Sequence, residues 1–260
     1  MVQTMYGVPR PDPIGYLGQV AATGPGRAYK AYALAALELR PGLTVVDAGC
    51  GPGTDLGALA DAVTRTGSVI GVDHDPVMLG EARRRTAGRA GVEVLAGEAQ
   101  ALPVADDAAD RARADRVLMH VAEPARVVAE LRRVVRPGGL VALTEPDWDT
   151  LTVDPGEVET GRAFNRFVCG SMVRHATIGR RLARLAAEAG LEVVAARVQA
   201  PTLHDFATAD RVLGLRRNAE RAVNAGELDA EAARSWLAGL AGPHFSASFM
   251  LYAVTARVPG

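Results

Sequence analysis

The sequence predicts a doubly wound α/β protein, a mostly parallel seven-stranded sheet with helices on both faces. Three observations carry that expectation. Short β-branched apolar runs alternate with stretches of helical period, the connections between them are short, and the first run ends in a loop of alternating glycines. Alternation of this kind buries strands on both faces and joins them in parallel through helical crossovers.

Taken in order, residues 1–15 carry Pro9, Pro11 and Pro13 and read as an irregular lead-in. Residues 26–39 place Ala, Leu and Tyr at helical spacing until Pro41 and Gly42 stop the helix. A strand is expected at 44–47, then a helix at 54–63 with Leu56, Leu59, Ala60 and Val63 on one stripe. A second strand at 68–73 leads to a helix at 76–86 with proline near its first turn, and a third strand follows at 92–95. Residues 125–135 form a strong helix in which Val127, Leu131 and Val134 share a face with Val128 and Val135; Pro137, Gly138 and Gly139 end it. An apolar strand occupies 140–144. Residues 154–190 then interrupt the alternation with helix, its last piece marked by Ile178, Leu182, Leu185 and Ala189, with Thr177 as a cap and Gly190 past the end. A strand at 191–198, helices near 208–222 and 229–240, and a β run at 245–258 complete the chain.

Composition narrows the partners. Hydrophobic residues make up 48% of the 260 and aromatics only 5%, so the core is expected to be mostly Ala, Val and Leu. Lys and Arg total 29 against 30 Asp and Glu, a formal net charge of -1, which offers neither nucleic acid nor an anionic membrane a basic face. The two cysteines, Cys50 and Cys169, form no disulfide framework and no metal spacing, so no metal is expected. The first residues lack the layout of a leader peptide, and no run approaches the ~20 apolar residues of a membrane helix. A soluble cytoplasmic monomer or homodimer is the expectation.

The sharpest chemical signal is VVDAGCGPGTD at 45–55. A strand brings Asp47 to the carboxyl end of the sheet, and Gly49, Gly51 and Gly53 follow at alternate positions around Cys50. Glycine suits a backbone that turns at positive φ or lies against a ligand. The helix that starts beyond Gly53 presents free N–H groups and a positive dipole end, suited to a carboxylate as well as a phosphate. Asp47 is placed to meet an ammonium. Asp73, at the tip of the second strand and on the order of 20 residues beyond the loop, is placed to bond ribose hydroxyls. Amino acid plus ribose describes S-adenosylmethionine (SAM). A dinucleotide fingerprint would want glycine where Thr54 stands.

VVDAGCGPG, GVDHDPVML, GEAQALP, DRVLMHV and LRRVVRPGGLVALTEPDW together resemble, in order and spacing, the class I SAM-dependent methyltransferases. The similarity covers residues 40–148 and lies nearest the small-molecule branch that includes ubiquinone/menaquinone-biosynthesis methyltransferases. The resemblance implies a Rossmann-like sheet and SAM as cofactor, with S-adenosylhomocysteine as product. It implies that Asp47, Gly49 and Gly51 hold the methionine portion, that Asp73 holds the ribose, and that Glu98 and Ala99 border the adenine. Many relatives carry Asp where this chain has Glu98. His74 is expected beside the adenine, Asp115 and Arg116 at the cofactor, and Tyr16 closing over it. The chain divides, on this reading, into a helical cover at 1–40, a SAM-binding half at 41–148, and substrate-covering helices with the last strands at 149–260, all one domain.

Acceptor candidates cluster after the fourth and fifth strands. His120 reads as a general base, its ordinary pKa near neutrality, or as a helix-packing histidine bonded to backbone. Asp147 reads as a catalytic acid–base group or a turn residue after Pro146. Trp148 and His175 are candidate substrate contacts, Trp148 alternatively covering the sheet and His175 a surface loop. The fourth strand is ambiguous. The family pattern puts it at 111–115, where Arg111 and Arg113 would share a buried face, whereas propensity prefers 117–121. A buried Arg113 needs a carboxylate partner and is a candidate for the substrate site.

The expected reaction is methyl transfer to an O, N or C atom of a small molecule, with secondary metabolism as one setting. The chain shows neither the Asn/Asp-Pro-Pro-aromatic motif nor the Pro-Cys pair of nucleic-acid methylation, and too few cysteines for arsenite chemistry. Two alternatives stay open: a SAM-binding enzyme that catalyses a cyclisation or rearrangement without donating methyl, and a non-catalytic SAM-binding partner protein.

Overall fold

A computed structural model describes residues 4–9 and 12–260. Part of the expected lead-in, residues 1–3, 10 and Pro11, lies outside the described residues, and so does the start of any leader. The rest is ordered differently from the expectation. A two-residue ribbon pairs β1 (Thr4–Met5) with β2 (Val8–Pro9), and α1 (Pro13–Ala22) starts at once because Asp12 accepts from the Ile14 and Gly15 amides while Pro13 occupies the first turn.

The sheet runs in the order β5-β4-β3-β6-β7-β10-β8. β3 (Thr44–Ala48), β4 (Ser68–Asp73), β5 (Val92–Ala96), β6 (Ala109–Asp115) and β7 (Val135–Asp154) are parallel. β10 (Ser246–Arg257) lies antiparallel between β7 and β8 (Glu192–Gln199), and a short β9 (Thr202–Leu203) adds to its free end. The seven expected strands are present, with β9 additional. Successive residues of β3 serve opposite faces. Val45 packs with Leu56, Leu59 and Val63 of α3 (Leu56–Val63), whereas Val46 packs with Val127 and Leu131 of α5 (Pro124–Val134) and Leu182 of α7 (Leu182–Glu188). α4 (Pro76–Thr86) follows β4, capped by Asp75 on the Val77 amide.

The fourth strand is β6, at the arginines. Arg111 and Arg113 pair opposite Val45 and Asp47 of β3, and both guanidinium groups find acceptors: Arg111 donates to the Leu37 carbonyl at 2.6 Å, Arg113 to a cluster of carboxylates. The opposite face of β6 carries Ala112 and Ala114, flat enough for α5 to pack closely. Residues 117–121, preferred by propensity, form the turn after the strand, where Glu145 accepts from the Val117 and Leu118 amides.

β7 does not end near Thr144. It continues through Pro146 to Asp154 because β10 pairs with it from Leu140 to Asp154, with one irregularity between Ser248 and Met250. Asp147 and Trp148 are therefore strand residues and no turn follows Pro146. The ribbon beyond the sheet carries a cover: α1, α2 (Gly24–Ala35), α6 (Val158–Phe167), α8 (Phe206–Leu213), α9 (Leu215–Asn224) and α10 (Ala230–Leu240). Its own core joins Phe164, Val212, Leu215, Trp236 and Leu240, and Trp148 stacks on Phe249 at 4.8 Å between centroids. The helix expected near 208–222 breaks at Gly214, which sits at φ 64°. A 3₁₀ turn at Gly179–Arg181 precedes α7, so Ile178 rather than Thr177 stands at that helical start.

Leu131 is fully buried between α5 and the sheet. Leu131→Ala is expected to cost about 2–5 kcal/mol in equilibrium urea unfolding with an unchanged slope.

Candidate functional site

β3, β4, β5 and β6 end side by side at one edge, and a cleft of about 940 Å³ opens there beneath the cover. The glycine loop forms its floor, with the alternate glycines serving different purposes. Gly51, at φ 53°, faces open space in which an added Cβ would meet only Leu17 at 3.7 Å, so a ligand can approach the backbone here. Gly49 clears Val117, which a Cβ would meet at 2.5 Å, and Gly53 clears Ala82 of α4 and does not line the cleft. Asp73 lines the cleft and braces the loop, accepting from the Gly51 amide at 2.8 Å and the Asp75 amide at 3.0 Å. Exposed His74 stands beside it, and Glu98 and Ala99 border the cleft after β5. Cys50 is buried against Gly71; burial, then Asp47 and Asp73, push its thiol well above the usual range.

Below the loop lies an ion network. Arg113 donates to Asp47 at 2.8 Å and to Asp55 at 2.5 Å, and Lys30 of α2 reaches Asp55 at 2.6 Å and Asp115 at 3.3 Å. Burial pushes the Asp47 carboxyl up and the adjacent guanidinium pulls it back; burial likewise opposes the Arg113 charge, but Asp47, Asp55 and Asp115 hold its pKa well above the ordinary value. Asp55 precedes α3 yet makes no side-chain cap, because its carboxylate is committed to the two cations. Asp47 is not placed to receive an ammonium from the cleft: it is buried, gives both oxygens to Arg113 and lies outside the lining. Arg113 lines the cofactor floor with Nε and Nη2 committed to the network and only Nη1 left without a partner among the described residues, so it sits away from the proposed substrate side. Asp115 is the carboxylate that remains. Sequence reasoning missed Lys30 and Asp55, since nothing in a helix face or a cap position announces a partner so distant in the chain.

The side of the cleft facing the glycine loop is built by Arg116, His120, Trp148 and Tyr16, all lining it. The Tyr16 hydroxyl donates to the Val212 carbonyl at 2.9 Å, tying α1 over the opening. His120 is exposed to the cleft rather than packed in a helix, and the protein around it, then the Arg116 charge, lowers its pKa to about 4. Two candidates fall elsewhere. Asp147 is fully buried, points away from the cleft lining and binds Arg180 through both oxygens. His175 bonds the Val121 carbonyl at 3.0 Å through Nε2 and also lies outside the lining. Glu145 sits fully buried behind the site, and burial raises its pKa to about 8 although two amides donate to Oε1.

The residues fit the cofactor that the motifs imply. Asp115 Oδ1 and Arg113 Nη1 are buried without a partner among the described residues, at the cleft floor. Such orphans are costly unless a ligand completes them, and an amino acid's ammonium and carboxylate supply the matching groups. Gly51 and Asp73 offer the open backbone and the acid beside it.

A family model described as a methyltransferase domain matches residues 39–190. A 37.1 kDa protein of Streptomyces fradiae encoded in a transposon is 50% identical over 247 residues, 95% of this chain and 72% of its own length. A demethylmenaquinone methyltransferase of Staphylococcus aureus is 34% identical over 115 residues, 44% of this chain and 48% of its own; the chain thus spans about half of that relative. A crystal structure of a SAM-dependent methyltransferase from Aquifex aeolicus superposes with a TM-score of 0.56 at 18% identity, covering 96% of this chain and 100% of the other.

Asp73→Ala is expected to weaken S-adenosylhomocysteine binding by roughly 10- to 100-fold in calorimetry while the protein stays folded. Glu145 gives a pH prediction. Its folded pKa of about 8 lies above the ordinary glutamate value of 4.5, so the folded state binds the extra proton and stability falls as pH rises through that window. Glu145→Gln should therefore exceed the wild type by about 2–4 kcal/mol at pH 8, the gap closing toward pH 5 in urea unfolding.

Proposed function

The chain belongs to the class I SAM-dependent methyltransferases, and from that premise we propose that it transfers a methyl group to a small molecule held under the helical cover. One observation carries this reading: the cleft continues past the cofactor floor into an apolar chamber. Leu151, Phe164, Val168 and Val212 wall that chamber, and it is roofed by elements of the chain itself. A volume of about 940 Å³ is at the upper end of small-molecule pockets, ample for a cofactor and a second compact molecule. The charge balance of -1 supports the same reading over a nucleic-acid partner. No helix among the described residues is long and apolar enough to cross a membrane.

SAM supplies a methyl group already activated on a sulfonium. The protein's work is placement. Gly51 and Asp73 fix the cofactor's position relative to the acceptor chamber, and Tyr16, with α1 tied down through Val212, excludes water from above. Holding two reactants in line supplies much of the rate, on the order of several kcal/mol. His120 is uncharged at neutral pH, with a ring that makes no hydrogen bond among the described residues, so it can take a proton released by a hydroxyl or amine acceptor. Its low pKa makes it a modest base.

The test is an acceptor panel read by mass spectrometry. The reading requires a one-methyl mass gain on a small molecule, with S-adenosylhomocysteine formed in equal amount. Product formed without S-adenosylhomocysteine would point instead to a non-methylating reaction. With the acceptor in hand, His120→Ala is expected to lower kcat about 10²-fold or more for a hydroxyl or amine acceptor, with cofactor affinity unchanged.

A further inference from the structure

The carboxylates of the cleft are confined to one side, where Lys30 and Arg113 pair with them. Among the described residues every carboxylate of the lining, Asp55, Asp73, Asp75, Glu98 and Asp115, belongs to the strand ends and loops of the cofactor side. Across the cleft the charged groups are arginines. Arg116 follows β6, Arg174 follows the helical turn after α6, and Arg217 lies on α9; none has a carboxylate within 4 Å among the described residues. Arg116 is half-buried and Arg217 keeps its Nε buried without an acceptor.

The neutral groups on that side are donors as well. Trp148 Nε1 is buried with no acceptor among the described residues. Asn218 has used its amide on the Leu213 carbonyl at 3.1 Å and its oxygen on Arg221 at 3.1 Å. Apart from the His120 ring and the tyrosine hydroxyls, of which Tyr16 bonds Arg116, the polar side chains on that side are N–H donors and positive charge, and desolvated donors left unpaired are costly. Arg116 and Trp148 also line a second, smaller apolar cavity of about 40 Å³ closed by Leu203, Phe249 and Leu251. Arg116 thus stands where the cleft meets an apolar recess.

We propose that the methyl acceptor is an apolar oxyanion, its anionic group bound by Arg116 with Arg217 in support, and its hydrocarbon body against Trp148 and the recess. A guanidinium fork matches the two oxygens of a carboxylate or those of a phosphate, and the surrounding low-polarity walls strengthen that pairing. Arg116, expected from sequence at the cofactor, becomes a determinant of acceptor specificity. The proposal rests on the small-molecule reading above.

The experiment titrates the complex of the protein with S-adenosylhomocysteine by calorimetry, using hexanoate and cinnamate, their amides, and hexyl phosphate at fixed ionic strength. At least one anion is expected to bind ten-fold or more tightly than its neutral amide. A carboxylate or phosphate preference identifies which oxyanion is used. Arg116→Gln is expected to abolish that preference and Arg116→Lys to keep only the part due to charge, both with S-adenosylhomocysteine affinity within about three-fold of wild type, which also reports folding. Amides binding as well as anions would overturn the proposal while leaving small-molecule methylation standing. Equal loss of S-adenosylhomocysteine and anion binding in a folded Arg116→Gln would overturn it too, returning Arg116 to the cofactor. If no small molecule binds the complex, and none of the acceptor panel gains a methyl group, both readings fall.

Discussion

The buried guanidinium of Arg113, in the middle of the sheet, is the interaction on which the rest depends. A charge in that position is tolerable only when fully paired, and the pairing recruits residues from three other segments. Asp47 comes from the neighbouring strand, Asp55 from the end of the glycine loop, and Lys30 joins from α2 through Asp55 and Asp115. The network therefore fixes the glycine loop at both ends and fastens the cover to the sheet. It also leaves Asp115 Oδ1 and Arg113 Nη1 incomplete at the cleft floor, so the same electrostatic arrangement that holds the loop prepares a place for a zwitterion.

The acceptor side depends on a different device. β7 and β10 remain paired well past the parallel strands, and this antiparallel extension gives the cover helices something rigid to pack on. Trp148 stands on that extension, stacked on Phe249, while Arg116 leaves β6 at φ 61° with its amide bonded to the Thr144 carbonyl. The paired strands thus hold Trp148, and the hydrogen bond to Thr144 holds the start of the turn that carries Arg116 and His120. Behind them, neutral Glu145 shapes the turn that carries Leu118 toward the core without adding a charge to the chamber.

Much of the cofactor half was legible because local rules act there. Pro76 and Asp75 mark the start of α4, the glycines mark the loop, and Asp73 ends a β-branched run at the cleft. The failures have one cause, the dependence of a residue on partners far away in sequence. RARAD reads poorly as a central strand until Arg113 meets its carboxylates, and Asp47 reads as a free ligand until the same contact uses both its oxygens. Asp147 follows a proline and looks like a turn, but pairing with β10 keeps it in the strand and Arg180 neutralises it away from the cleft. The far side of the cleft was not legible, since it is assembled from Arg116, Trp148 and Arg217 on separate elements.

We propose that one network both stabilises the loop and binds the cofactor's amino-acid end, and separating the two effects tests this. The measurement is S-adenosylhomocysteine affinity, with urea stability alongside, for Arg113→Met and for Arg113→Met combined with Asp47→Asn. The single variant should lose about 3–5 kcal/mol, because it strands a buried carboxylate, and the double variant should regain most of that. Affinity should stay at least ten-fold weaker in the double variant, since the charge facing the floor is gone. A stable double variant that binds S-adenosylhomocysteine as tightly as the wild type would contradict the account.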